Sequence, residues 1–343
     1  MTEMMWAAQL KSIGQALEIS RIAVPRPGPG ELLVKLDASG ICHTDLHVIE
    51  GPAFPAGAPQ PLTLGHEGIG RVVEQGAGTK LAIGTRVGLP WTHDTCEKCR
   101  SCQTGWESYC SSQRAHGYSV NGTFAEYAIV QERYAVIIPS ALDSVLSAPH
   151  MCAGITAFGG VEKAKLSPGK ISVVVGCGGL GQYGIQLAKL TGASVVAIDT
   201  NELKLKEAKS LGADECLLAD KHAAAKVMAM GDADAVLNFA PSSRIWDMVT
   251  GMVNNMATIV AVAMVKQPVP LVMEWLTYNG VNITGTSVGT RQQMKDFLQI
   301  AERHKIGVDV ESVGLKDVNA ALQRLTEGSV KGRCVIDFSN LKK

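Results

Sequence analysis

Cys96, Cys99, Cys102 and Cys110, in the run CEKCRSCQTGWESYC, form the densest cluster of reactive side chains in the sequence. Two residues between successive cysteines let a loop curl until the thiolates converge at roughly 2.3 Å on one tetrahedral Zn2+. The fourth cysteine follows after seven residues, enough chain to turn back and close the cage. A closed four-cysteine site has no position for substrate, so its expected work is to hold shape. Two disulfides are the competing use of these thiols. The start MTEMMWAAQLKSIG shows no apolar secretion signal, which points to a reducing compartment and so to metal. The second chemical signature is Gly176-Cys177-Gly178-Gly179-Leu180-Gly181, a G-x-G-x-x-G run. It follows an apolar stretch and opens a helical one, the context in which glycines admit a pyrophosphate to a helix N-terminus. Asp199 stands 23 residues after Gly176. A carboxylate there accepts hydrogen bonds from ribose hydroxyls and repels a 2′-phosphate, which favours NAD over NADP.

Three further segments hold candidate ligands: Gly40-Ile41-Cys42-His43-Thr44-Asp45-Leu46-His47, Gly65-His66-Glu67-Gly68, and Cys152 within MCAGIT. Spacing alone does not join Cys42, His66 and Cys152. A catalytic zinc nevertheless takes three protein ligands and keeps one position open, and two cysteines with one histidine supply them. A ligating histidine needs a partner for its other ring nitrogen, for which Asp45 and Glu67 are both candidates.

Two textures must position these residues. From Leu32 to about Ile138 short β-rich pieces (ELLVKLDASG, GIGRVVEQG, GTRVGLP, TFAEYAIV, YAVIIP) are punctuated by Gly and Pro, which predicts an irregular, mostly antiparallel β-domain. From about residue 150 apolar strands alternate with helical stretches (ISVVVG, GLGQYGIQLAKLTG, SVVAID, ELKLKEAKSLG, ADAVLNFA, TIVAVAM, NITGTS), the pattern of a doubly wound parallel sheet. Leu180, Tyr183, Leu187 and Leu190 are expected on one helix face against that sheet, with Gly192 as the stop. The closing VDVESV, DVNAALQRLTEG and GRCVIDF read as strand, helix and strand. The expected domains are a catalytic one over 1–149, to which 289–343 return, and a dinucleotide-binding one over 150–288.

In their order along the chain, GICHTDLH, GHEG, the four-cysteine run, CAGIT, GCGGLG, Asp199 and KGRCVIDF resemble the zinc-dependent medium-chain alcohol dehydrogenases, in particular the shorter bacterial and yeast-like branch. The likeness spans essentially the whole sequence. It implies a GroES-like catalytic domain and a Rossmann cofactor domain, with hydride transfer between an alcohol and NAD. It implies two Zn2+ per chain, the catalytic one on Cys42, His66 and Cys152 with Glu67 behind it as a transient ligand. Thr44 and His47 become the proton relay and Asp45 a supporting carboxylate. His43, Thr156, Lys204, Ser287, Val288 and Arg333 fall on cofactor-contacting positions, with Gly176, Gly178, Gly179, Leu180 and Gly181 in the phosphate loop. Thr44, Phe54 and Trp91 fall at the substrate pocket, and a homotetramer or homodimer is implied. The rival readings are a polyol or other secondary-alcohol dehydrogenase of the same superfamily and a non-catalytic zinc- and nucleotide-binding sensor.

The bulk numbers agree with this picture. Lys plus Arg and Asp plus Glu are 32 each in 343 residues, so the net charge is zero and no nucleic-acid partner is expected. The longest apolar runs, Ile171–Val175 and Thr258–Val265, are far too short to span a membrane, and a cytoplasmic protein is expected. His93, His116, His150, His222 and His304 have no motif around them and are expected solvated or capped. Cys177, Cys216 and Cys334 are expected as small buried hydrophobes. Met273 and Trp275 are read as core packing.

Overall fold

The computed structural model describes residues 3–339. It divides into two compact units, Met1–Cys152 with Thr290–Lys343, and Ala153–Gly289.

The first unit is built on a seven-stranded sheet whose order is Val136–Ile137, Arg86–Leu89, Gly68–Gln75, Glu31–Gly40, Arg333–Asp337 and Val310–Val313, with Tyr127–Gln131 also on Glu31–Gly40. Glu31–Gly40 buries Leu32, Leu33, Val34, Leu36 and Ala38, so both its faces are covered. Leu10, Leu64, Val72, Leu89 and Phe124 join it in one core, each such side chain contributing about 1.5–3 kcal/mol on burial. Register then does the work of assembly. Ser39 pairs with Gly68, Gly68 with Leu89, and Gly40 with Val335. The residues just past those ladder ends, Cys42, Glu67, Trp91 and Arg333, therefore gather at one end of the sheet. Cys152 arrives there by packing: a Cβ on Gly88 would lie 2.2 Å from Met151 Sδ, so the bare glycine in the strand seats Met151 and its neighbour.

The second unit carries a six-stranded parallel sheet in the order Glu215–Leu218, Ser194–Asp199, Ile171–Val175, Ala233–Asn238, Val253–Ala261 and Asn282–Gly285. Numbered along this unit the order is 3-2-1-4-5-6, that of dinucleotide-binding sheets. Ile171–Val175 lies at the centre with Val173, Val174 and Val175 buried, and Gly179–Leu190 follows it directly. That helix departs from the expected face. Tyr183 and Leu187 are buried, but Leu190 is 44% exposed and Leu180 half-buried, because Gly181, Gly184, Ile185 and Ala188 make the close contact instead. Gly184 has Phe239 at its face, where a Cβ would lie 2.6 Å from the ring. Small residues let this helix approach, and Leu190 rotates outward. Met273 is also exposed, at 65%, while Trp275 is partly buried against the core of this unit.

Candidate active site and metal centres

Cys42, His66, Glu67 and Cys152 place one ligand atom each within 4.8 Å of one another, with His66 and Glu67 almost fully buried and the two cysteines slightly less so. Cys42 caps the short helix His43–Ile49, and that turn of helix brings Asp45 back toward the cluster. Asp45, 1% exposed, accepts from Cys42 N at 2.9 Å and Gly65 N at 3.2 Å, and its Oδ1 lies 3.3 Å from His66 Nδ1. One carboxylate thus locks both ligand loops and sets the imidazole proton on Nδ1. His66 Nε2 is left facing the thiols, buried and without a hydrogen-bond partner. A buried ring nitrogen with nothing to bond is costly unless a cation takes its lone pair. The donor set fits zinc: two thiols, one imidazole and a nearby carboxylate. Cys152 donates to Cys42 and holds that thiol well below its usual range against the effect of burial, while the same hydrogen bond and burial push the Cys152 thiol well above its own.

Glu67 lies behind the cluster at 0% exposure, with Arg333 Nη2 at 2.5 Å and 2.7 Å from its two oxygens. The same nitrogen donates to Ile41 O at 3.0 Å. Burial pushes Glu67 up to about 7 even though the guanidinium pulls it down. Gly40 makes room for this pair, as a Cβ there would fall 1.9 Å from Glu67 Oε2. Thr44 is half-buried with Oγ1 3.7 Å from Cys42 Sγ, and His43 and His47 project from the same helix to solvent. Trp91 sets its ring edge-on to His66 at 5.1 Å between centroids and is held by Gln113 Oε1 at 3.1 Å. Phe54 is partly buried against the core of the first unit.

Three of the histidines expected solvated or capped are instead buried. His93 Nδ1 lies 3.0 Å from His116 Nε2, and His116 Nδ1 lies 2.7 Å from Pro90 O. Burial drives both rings toward the neutral form, His93 down to about 2 and His116 to about 4. His150 is 2% exposed against Phe297. Partners this far apart in sequence give no local signal, and His222 and His304 alone of the group are exposed. Cys177 and Cys334 are buried as expected, whereas Cys216 is half-buried.

The four cysteines form the second cluster. Cys96 Sγ and Cys110 Sγ are 3.5 Å apart, Cys99 and Cys102 3.5 Å, and Cys96 and Cys102 4.0 Å. A tetrahedron with 2.3 Å arms has edges of about 3.8 Å. These sulfurs stand at that spacing, well beyond disulfide bonding distance, and all four are free thiols. Backbone N–H groups of Lys98 and Cys99 hold the Cys96 thiol at about 6, while burial pushes Cys110 to about 11.

In the second unit Gly176 adopts φ +89°, a conformation that favours glycine. A Cβ on Gly181 would lie 1.9 Å from Gly176 O, so the helix seats against the turn only with glycine. A Cβ on Gly178 meets nothing within 4 Å, which leaves its backbone open beside the N-terminus of Gly179–Leu190. Asp199 Oδ2 accepts from Cys177 N at 2.7 Å and Oδ1 from Asn201 N at 2.9 Å. The carboxylate is thereby fixed at the strand end beside the loop. Thr156 is buried on Ala153–Ala164 and Lys204 half-exposed on Glu202–Ser210. Ser287 is exposed, and Val288 takes φ +48°.

Residues 28–140 match the family description "Alcohol dehydrogenase GroES-like domain" and 179–303 match "Zinc-binding dehydrogenase". An alcohol dehydrogenase of Moraxella sp. (strain TAE123) is 38% identical, over 98% of this chain and 100% of the relative. The chain belongs to the zinc-dependent medium-chain alcohol dehydrogenases. Two solved members of this fold bear on the metal and cofactor. A thermostable alcohol dehydrogenase from Pyrobaculum aerophilum, described as cobalt and zinc bound, superposes with a TM-score of 0.88 at 29% identity, over 98% of this chain and 100% of that one. An acetophenone reductase from Geotrichum candidum in complex with NAD gives 0.89 at 26% identity, over 99% of both chains. The two units of this dehydrogenase are the GroES-like and Rossmann domains of the family. No helix among the described residues is long and apolar enough to cross a membrane.

Proposed function

We propose that this dehydrogenase interconverts alcohols with aldehydes or ketones using NAD, with zinc on Cys42, His66 and Cys152 and a second zinc on Cys96, Cys99, Cys102 and Cys110. The observation that carries the reading is the unpartnered, buried His66 Nε2 facing Cys42 and Cys152. When bound, the metal polarises the substrate oxygen and the nicotinamide accepts the hydride. The chain's own groups do the rest. Asp45 holds the His66 tautomer. Thr44 Oγ1, beside Cys42, is placed to accept the hydroxyl proton, and His47, exposed on the same helix, to release it to solvent. Glu67 stands behind the ligands as the carboxylate able to reach them, and Arg333 positions it. Trp91 covers His66 and shields the cluster from water, and Phe54 contributes an apolar wall. His43, Thr156, Lys204, Ser287, Val288 and Arg333 are assigned to the cofactor with the glycine loop. Asp199, fixed by two backbone N–H groups, supports NAD over NADP.

We assign a homotetramer or homodimer. Asn282–Gly285 is an edge strand, and Met256, Met264, Val272, Met273 and Tyr278 of the same unit expose 65–83% of their surface. Nine cysteines without a disulfide suit the cytoplasm. The test is NADH formation by the zinc-loaded protein across a panel of primary, secondary and aromatic alcohols. Turnover with NAD and little with NADP is expected. Silence with every alcohol and carbonyl tried would overturn the reading.

A further inference from the structure

The four-cysteine loop is joined to a distant helix by two routes. Along the first, Cys102 Sγ lies 3.2 Å from Thr95 Oγ1, and Thr95 Oγ1 lies 2.6 Å from Tyr134 Oη. Tyr134 is 2% exposed, and the Arg291 guanidinium sits over its ring, 4.7 Å from the centroid. Along the second, Glu107 stands inside the loop between Cys102 and Cys110, 5% exposed. Its Oε1 accepts from the backbone N of Arg291 at 2.8 Å and from Arg291 Nε at 3.1 Å. Both routes meet at Arg291, the first residue of the helix Arg291–His304, immediately after its Thr290 cap. Thr290 is also where the chain re-enters the first unit.

The chemistry gives the first route a direction. A thiolate on a metal can only accept, so Thr95 donates to Cys102 and Tyr134 donates to Thr95. Burial keeps the Tyr134 hydroxyl protonated for this purpose. Hydrogen bonds behind a ligand set its orientation and its hold on the ion. Glu107 is buried against Arg291, and the cysteines on either side of it in the chain decide where it stands; removing one partner of such a buried pair is costly.

We infer that Thr95, Tyr134, Glu107 and Arg291 are positioning residues of the four-cysteine site, and that metal bound there fixes the N-terminus of the Arg291–His304 helix. The inference rests on the proposed zinc at the four cysteines. By linkage the coupling is mutual: loosening the helix start weakens the hold on the metal, and losing the metal frees the helix start.

The test uses the full chain in a Cys42→Ser background, so that only the four-cysteine metal is counted. Metal content is measured first; a protein that takes up no zinc there overturns the metal reading itself. With zinc present, its loss to a colorimetric chelator is followed in Thr95→Val, Tyr134→Phe and Glu107→Gln. Each is expected to lose zinc about 10-fold faster, with Thr95→Ser close to the parent because the hydroxyl is kept. Hydrogen exchange of the parent, with and without metal, needs no variant to fold. Removing zinc is expected to expose the Arg291 amide together with residues 96–110. Unchanged zinc loss in all three variants overturns the inference. So does a demetallated protein in which 96–110 exchange freely while the Arg291 amide keeps its protection.

Discussion

Arg333→Met isolates the pair on which the metal cluster leans. Glu67 is 0% exposed and Arg333 5%, so the variant leaves a carboxylate in the interior with no counter-charge from that side. Breaking such a pair costs about 3–5 kcal/mol. Because Glu67 already sits at about 7, against an ordinary value of 4.5, the cost has a pH signature. In the parent the folded chain holds a proton that the unfolded chain has lost between about 4.5 and about 7, so stability falls as pH rises through that window. Without the guanidinium the folded value moves higher still. The variant must then go on losing stability above pH ~7, at about 1.4 kcal/mol per pH unit, where the parent has levelled off. A bound divalent cation would keep the carboxylate charged, so the comparison is made with chelator present, and reloading zinc is expected to flatten the slope. Native-state hydrogen exchange at the buried amides of Glu31–Gly40 reads the opening of this unit alone. Adding Glu67→Gln removes the stranded charge and is expected to recover most of the loss. Parallel stability curves for Arg333→Met and the parent across that range would refute the reasoning.

Other perturbations probe the remaining parts. Gly181→Ala drives a Cβ to 1.9 Å from Gly176 O and is expected to cost about 1–3 kcal/mol of loop and helix packing, seen as weaker NAD binding by calorimetry with zinc content unchanged. Asp45→Asn presents an amide donor to one of the two backbone N–H groups the carboxylate serves, and zinc affinity at the Cys42 cluster is expected to fall about 10- to 100-fold by chelator competition. His116 is neutral in the fold down to about 4 against an ordinary 6.5. The unfolded chain therefore binds the extra proton in that window, and stability falls on acidification by ~3 kcal/mol; His116→Gln should show a shallower acid limb in denaturant titrations.

What could be read from sequence follows the range of the interactions. The four-cysteine run and the glycine loop are local: their ligands or turn residues lie within one short segment, so spacing carries the chemistry. The parallel sheet is equally legible because strand and helix periods alternate. Cys42, His66 and Cys152 are beyond spacing and come only with the family resemblance, since the register of Ser39 on Gly68 and the seat of Met151 on Gly88 bring them together. The grip of Arg333 on Glu67 spans 266 positions and has no local trace. The His93–His116 pair escapes a sequence reading for the same reason. In Gly179–Leu190 periodicity marks large residues as the contact face, but small residues make the closest approach and turn Leu190 outward.

The most direct test of the account is the zinc count of the native protein by mass spectrometry, taken with activity on the same samples. Two zincs per chain are expected in the parent, and one in Cys42→Ser, folded and NAD-binding but without NADH formation from any alcohol. A Cys42→Ser protein that kept both zincs and its turnover would contradict the placement of the catalytic metal on Cys42, His66 and Cys152.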